Sequence, residues 1–229
     1  MMIDAGTGVG RLAERPELLH GVHRLDLVLT HFHLDHVCGL AYLPSLDECP
    51  ETTIWGPGAA LYGTRTRDVL DRLSHEPFHP VPLEAQRIQV RDLPVGELEL
   101  SGIRIATRAQ TRHSAPTLGL RFGDDLAWIT DTAHDPESAA FARGCATLAH
   151  EAWFPSSHPR NPDIHTAAAD AAVVAADAGA GQLLLIHLPP FKAGTEPLLE
   201  EARARMPATE AAIDGWEIDI DLRTPPALG

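Results

Sequence analysis

Between residues 30 and 36 the chain reads Thr30-His31-Phe32-His33-Leu34-Asp35-His36, which crowds three imidazoles and one carboxylate into six residues. An apolar run, Leu25 to Leu29, precedes them, and a helix pattern from Asp35 to Leu43 follows. Imidazole nitrogen and carboxylate oxygen are ligands for zinc and related divalent ions. A strand-to-helix turn is short enough to aim several of them at one place. Alternate residues of an extended segment project the same way, so His31 and His33 share a direction, whereas Asp35 and His36 open the next element and can face a second ion. The spacing suits two metals better than one. The bland reading is a polar surface turn, but in a chain with 13 histidines among 229 residues a chance match is expected on the order of a few per thousand sequences.

Closing a dinuclear site takes more donors, and they stand after other apolar runs. Strands are expected at Leu25 to Thr30, Thr52 to Trp55, Ile88 to Leu93, Leu98 to Leu100, Ile103 to Thr107, Leu118 to Phe122, Leu126 to Thr130 and Leu183 to His187. Met1 to Asp4 reads as the end of another strand. Helices are expected near Arg11 to Leu19, Asp35 to Leu43, Arg67 to Leu73, Pro136 to Ala142, Thr166 to Ala178 and Glu196 to Arg205, the fifth with Thr166 as N-cap and Gly179 as stop. The alternation argues for an α/β fold in one continuous domain, 1–229, with an antiparallel meander in its middle. His113 follows one strand, and Asp131 and His187 close two others. Donors at strand ends gather along one sheet edge, where α/β folds place their sites. Taken singly, a histidine after a strand is ordinarily structural and an aspartate there begins a turn; beside the His-rich motif they read as ligands.

Composition narrows the function. Eighteen basic against 32 acidic residues give a net charge of −14, and Lys192 is the sole lysine, so attraction to a polyanion is a poor basis for binding. No apolar run approaches the roughly 20 residues of a membrane span. Cys38, Cys49 and Cys145 lack CxxC spacing, which fits neither a disulfide scaffold nor a cysteine zinc site and points to a reducing cytoplasm.

With these residues in view, the chain resembles the metallo-β-lactamase superfamily over essentially its whole length. The resemblance implies an αββα sandwich with two divalent metal ions, usually Zn2+ with Mn2+ as the alternative. Carried over by position, His31, His33 and His113 would bind the first ion, Asp35, His36 and His187 the second, and Asp131 would bridge them. Ile3-Asp4-Ala5-Gly6 looks like the family's opening strand and turn, with Asp4 hydrogen-bonded to a ligand histidine. A histidine at position 33, where the diiron flavoprotein branch carries glutamate, favours hydrolysis over redox chemistry.

The second half resembles ribonuclease Z-like members. His150-Glu151-Ala152-Trp153-Phe154 is similar to their His-Glu-Ala-Thr motif, and His165 with the helix after it, followed by Leu183 to Leu188, looks like their last ligand strand. This implies a phosphodiesterase in which a metal-bridging hydroxide attacks phosphorus while Glu151 and His165 deliver a proton to the leaving oxygen. Asp35, Glu151 and His165 are the candidate catalytic side chains. The bland readings are a core histidine for His150 and a solvent-facing helix start for His165.

Two departures shape the expectation. Ribonuclease Z proper carries a basic arm between its third histidine and the bridging aspartate, but only one hairpin separates His113 from Asp131. A small phosphodiester, as for armless cyclic-phosphate phosphodiesterases, is therefore expected in place of large RNA, with a homodimer implied by the resemblance. Members also carry about two more strands, roughly 30 residues, before the Asp4 motif, so the chain is expected to lack the first strands. The alternatives are an ester, thioester or lactone hydrolase on the same metals, or a non-catalytic metal-binding fragment. Cys38 reads as a small buried residue with thiol ligation as its alternative. Arg160, in the loop Pro155 to Pro162, reads as solvated unless it meets a substrate phosphate. His20, His23, His75, His79, His134 and His158 have no assigned role.

Overall fold

Strands buried on both faces read as unbroken apolar runs, whereas half-buried strands alternate, and this chain uses both kinds. The computed structural model describes residues 1–45, 50–86, 88–189 and 194–218. Cys49 and Lys192 lie outside the described residues. The chain divides into two compact units, Met1–Val95 and Gly96–Gly229.

The first unit holds a parallel sheet in the order β1 (Met2–Ile3), β2 (Arg24–Val28), β3 (Glu51–Gly56), β4 (Ile88–Asp92). Leu27, Leu29, Val37, Leu43, Ile54 and Leu70 pack as its core. The helix expected from Asp35 to Leu43 is instead one α-helical turn, α1 (Leu34–Val37), continued as a 3-10 segment, Cys38–Ser45. The Gly39 N–H is drawn out to the Ala5 carbonyl at 2.7 Å, and Pro44 offers no donor. The helix expected at Arg11 to Leu19 is likewise two 3-10 segments, Thr7–Glu14 and Pro16–Leu18, parted at Arg15, which precedes a proline and leaves the helical region. Two short helices, α2 (Gly58–Tyr62) and α3 (Thr66–Leu70), lead toward β4.

The second unit is a seven-stranded mixed sheet, ordered β11-β10-β9-β8-β7-β6-β5. The meander β5 (Gly96–Leu100), β6 (Ile103–Gln110), β7 (Thr117–Phe122), β8 (Leu126–Ile129) is antiparallel, as expected. It then joins β9 (Thr147–Glu151), β10 (Gln182–Ile186) and β11 (Thr209–Ala211) in parallel. Since β6 and β8 both run against β7, β6, β8, β9 and β10 all end on one edge. Helices α4 (Glu137–Phe141), α5 (Ala168–Ala178) and α6 (Glu196–Arg203) accompany the sheet, and the alanines of α5 bring it close against the core that includes Leu148, Leu183 and Leu185. Gly179 stops α5 at φ 67°, a left-handed cap a side chain would resist. The expected N-cap Thr166 is replaced by Ala167, because the Thr166 hydroxyl is committed to the Thr132 carbonyl at 2.6 Å. Among the described residues no helix is long and apolar enough to cross a membrane.

β9 escaped the periodicity reading because a wholly buried strand here carries polar side chains, His150 and Glu151, at its end. His150 donates from Nδ1 to the Glu151 carbonyl at 2.9 Å, and burial holds its pKa down at about 4. A histidine depressed from 6.5 to about 4 is neutral in the fold but protonated on unfolding, so its stability contribution is complete above pH 6.5 and lost as pH falls toward 4. Acid titration of metal-free protein should cost about 3 kcal/mol from this residue across that window. Urea melts of wild type and His150→Leu at pH 7 and pH 4.5 check this, with the variant losing less stability in acid.

Candidate functional site

In the first unit the site grows from the turn that ends β1. Asp4 sits at φ 55°, in the left-handed region, with its N–H donated to the Val28 carbonyl at 2.8 Å. That turn points its carboxylate across the end of β2. Asp4 Oδ1 accepts from the Thr30 N–H at 2.7 Å, and Oδ2 accepts from the Thr30 hydroxyl at 2.9 Å and faces His36 Nδ1 at 2.8 Å. Thr30 has given its single proton to Asp4, so its oxygen accepts from His31 Nδ1, 3.1 Å away. Both imidazoles are thereby fixed with the proton on Nδ1 and the lone pair on Nε2, the ligand form. The His31 ring lies 4.5 Å from that of His33 and 4.2 Å from that of His36, and Asp35 Oδ2 is 3.6 Å from His36 Nε2. Gly6 permits this closeness: a Cβ there would stand 2.5 Å from the Asp35 carbonyl oxygen.

In the second unit the shared strand edge assembles the rest. His113 lies in the loop after β6, Asp131 follows β8, Glu151 ends β9 and His187 follows β10. Asp131 and His187 both take positive φ, 52° and 48°. Asp131 Oδ1 stands 3.6 Å from His113 Nε2 and 3.4 Å from His187 Nε2. These separations are too long for hydrogen bonds but match the roughly 3.3 Å between ligand atoms that each sit about 2.0–2.1 Å from one tetrahedral cation. His113 Nδ1 donates to the Ile164 carbonyl at 2.7 Å, leaving Nε2 toward Asp131, and burial pushes its pKa down, which keeps the ring neutral. The backbone carrying Asp131 is held by Gln110, whose amide donates to Thr117 Oγ1 at 2.8 Å and to the Thr130 carbonyl at 2.9 Å. Thr117 in turn donates to the Asp131 carbonyl at 3.1 Å.

Beside these donors lies a second pair. His165 Nδ1 is 2.8 Å from Glu151 Oε2, and Glu151 Oε1 accepts the Thr132 N–H. Both side chains are buried, so the solvent-facing reading of His165 does not hold. Trp153 stacks on His165 at 4.9 Å and lies 5.0 Å from His187, and His165 shares a donor cluster with Asp131 and His187. Burial, reinforced by the negative Asp131, raises the Glu151 pKa well above its ordinary value.

Within each unit the structure thus gathers the predicted residues: His31, His33, Asp35 and His36 in one, His113, Asp131, Glu151, His165 and His187 in the other. Sequence reasoning named Thr30, Trp153 and Thr166 without the supporting roles they take here, and missed Gln110, Thr117 and Thr132. Trp153, a rare residue type placed two positions after Glu151, was one available signal. His20, His23, His75 and His158 are exposed, as is Arg160, while Cys38 is half-buried.

A family model described as a beta-lactamase superfamily domain matches residues 1–188. Ribonuclease Z of Methanopyrus kandleri is 29% identical over 250 residues, covering 96% of this chain and 87% of that protein. The structure is similar to that of the metallo-beta-lactamase fold protein YhfI from Bacillus subtilis, with TM-score 0.71 and 20% identity over 93% of this chain and 85% of that one. A diphosphatase from the PhnP family gives TM-score 0.68 and 20% identity over 95% and 79%. The α/β fold of metallo-β-lactamase type expected from the sequence is the one found.

Two outcomes are expected. Asp4→Ala releases both Nδ1 protons and should weaken zinc binding by about 10–100-fold with an unchanged circular dichroism spectrum, measured by dialysis against a competing chelator. In metal-free protein, Glu151 with its raised pKa holds a proton that the unfolded chain gives up near 4.5, so stability falls as pH rises above 4.5. Glu151→Gln should remove that fall, making the variant the more stable protein at pH 8 by thermal melting and conferring no advantage at pH 4.

Proposed function

The chain belongs to the beta-lactamase superfamily and is a metal-dependent hydrolase; from that premise we propose that it is a dinuclear phosphodiesterase acting on a small phosphodiester. The two compact units are read as parts of one hydrolase domain, 1–229. The chain binds divalent metal, and the proposed distribution gives His31, His33 and His113 to one ion, Asp35, His36 and His187 to the other, and Asp131 to both. The donor set fits: imidazole nitrogen and carboxylate oxygen without thiolate suit Zn2+ or Mn2+. When bound, a pair of such cations lowers the pKa of water and neutralises charge on a phosphoryl oxygen, which lets a chain of net charge −14 accept an anion.

The protein's own residues supply the proton. Glu151, buried and held by the Thr132 N–H, anchors His165 through Nδ1. That leaves Nε2 of His165 as the atom that gives a proton to the departing oxygen, with Trp153 stacked behind the ring to keep it in place. This buried carboxylate–imidazole pair beside Asp131 is the observation that carries the reading, because an alkoxide leaving a phosphodiester needs a general acid. Asp35, largely exposed at 63% of its side chain, is positioned to hold its ion on the substrate side. The absence of excess positive charge favours a small substrate over large RNA.

The test is hydrolysis of bis(p-nitrophenyl) phosphate by zinc- or manganese-loaded protein, with a lactone run in parallel. Phosphodiester turnover is expected; lactone turnover alone would replace this reading with carboxylic ester hydrolysis. Asp131→Ala should lose metal and turnover together. On a diester with an alkoxide leaving group, His165→Ala should keep its metal and lose about 10²–10⁴-fold in turnover, a larger loss than on bis(p-nitrophenyl) phosphate, measured by metal analysis beside the rate; metal loss in that variant would make His165 a ligand instead.

A further inference from the structure

In the first unit, the helix that carries Asp35 and His36 has a second face. Leu34, Val37 and Cys38 line one wall of a groove of about 230 Å³, and Leu70, Phe78 and Leu83 line the other. Its floor is core, since Val37, Leu70 and Leu83 are almost wholly buried. Its mouth is apolar and exposed, with Leu34 at 65% and Phe78 at 73%. Scattered exposed apolar residues are ordinary, but these two converge on one concavity. Among the described residues that line it, none is a lysine, arginine, aspartate or glutamate, and Ser74, His79 and Gln86 supply its polar side chains.

The rim holds one specific request. Gln86 donates its amide N–H to the Val81 carbonyl, and that bond fixes which end of the amide is oxygen. The other end, Oε1, is buried with no hydrogen-bond partner among the described residues. A buried acceptor left unpaired is unfavourable, and an N–H or O–H on an occupant would satisfy it. The groove is smaller than the 300–1,000 Å³ typical of a whole-ligand pocket, so it suits part of a molecule, roughly one or two rings. Leu34 stands one peptide, about 3.8 Å between Cα atoms, from both His33 and Asp35. The groove therefore shares helix α1 with Asp35 and His36.

We infer that this groove is the subsite for an uncharged aromatic arm of the substrate's ester, a ring system bearing a hydrogen-bond donor for Gln86. The inference rests on the phosphodiesterase reading and specifies the substrate class within it: a phosphodiester with one apolar, donor-bearing aryl substituent.

1-Naphthol and naphthalene serve as probes, their own fluorescence reporting binding to the metal-loaded protein. Wild type should bind 1-naphthol at least fivefold more tightly than naphthalene, and 1-naphthol should compete with bis(p-nitrophenyl) phosphate, raising KM without changing kcat. Phe78→Ser, a change at an exposed position outside the core, should weaken both probes about tenfold. Gln86→Leu should erase the preference for naphthol over naphthalene. No naphthol binding, equal affinity for the two probes in wild type, or inhibition that lowers kcat alone would each overturn the assignment. Binding is read equally well on protein that turns over no phosphodiester. Failure of hydrolysis therefore sinks the phosphodiesterase reading, and failure of binding sinks the groove.

Discussion

A strand that must end on a reactive side chain, and turn at once, places that residue where few L-amino acids settle. Asp4, Asp131 and His187 all stand at φ between 48° and 55°, Asp4 and His187 directly after β1 and β10 and Asp131 one residue past the end of β8. Each such residue costs on the order of 1 kcal/mol or more in backbone energy. The return is directional: the chain reverses without a long loop, and the side chain is carried over the strand end. Hydrogen bonds hold two of these reversals in place. The Val28 carbonyl pins Asp4, and Gln110 and Thr117 pin the carbonyls on either side of the Asp131 peptide.

The same hydrogen bonds decide protonation. Asp4 can order two imidazoles because Thr30 relays its charge, one proton per bond, from carboxylate to hydroxyl to His31. In the second unit Glu151 does the corresponding work for His165, but in a drier place and near another carboxylate, so its own proton is tightly held. Two carboxylates thus sit in different surroundings: Asp4 accepts from Thr30 and His36, while Glu151 faces its histidine in a drier place. The threonines at 30, 117, 130, 132 and 166 place hydroxyls on polar groups of this buried network.

Much of this was legible in the sequence because metal ligands are chemically rare and their spacing is short. The His31 to His36 motif declares itself, and the strand-end positions of His113, Asp131 and His187 follow from apolar runs that stop just before them. The supporting threonines and Gln110 were not legible, since a hydroxyl or amide acquires its role from a partner distant in sequence: Thr166 from Thr132, Gln110 from Thr130. β9 was missed because burial of His150 and Glu151 contradicts the hydrophobic pattern, and that contradiction marks the strand as functional. The helix after His36 was read too long because Gly39 serves a contact with the Ala5-Gly6 turn that only the fold supplies: a Cβ there would lie 2.1 Å from the Gly6 carbonyl oxygen.

The central proposal is that Asp131 is shared by two cations held by the two sets of histidines. Anomalous diffraction at the zinc edge from zinc-loaded crystals tests it most directly. The account predicts two peaks, each about 2.0–2.2 Å from an Asp131 carboxylate oxygen, one beside His31, His33 and His113 and the other beside Asp35, His36 and His187. A single peak, or two peaks of which one lies away from Asp131, would contradict it.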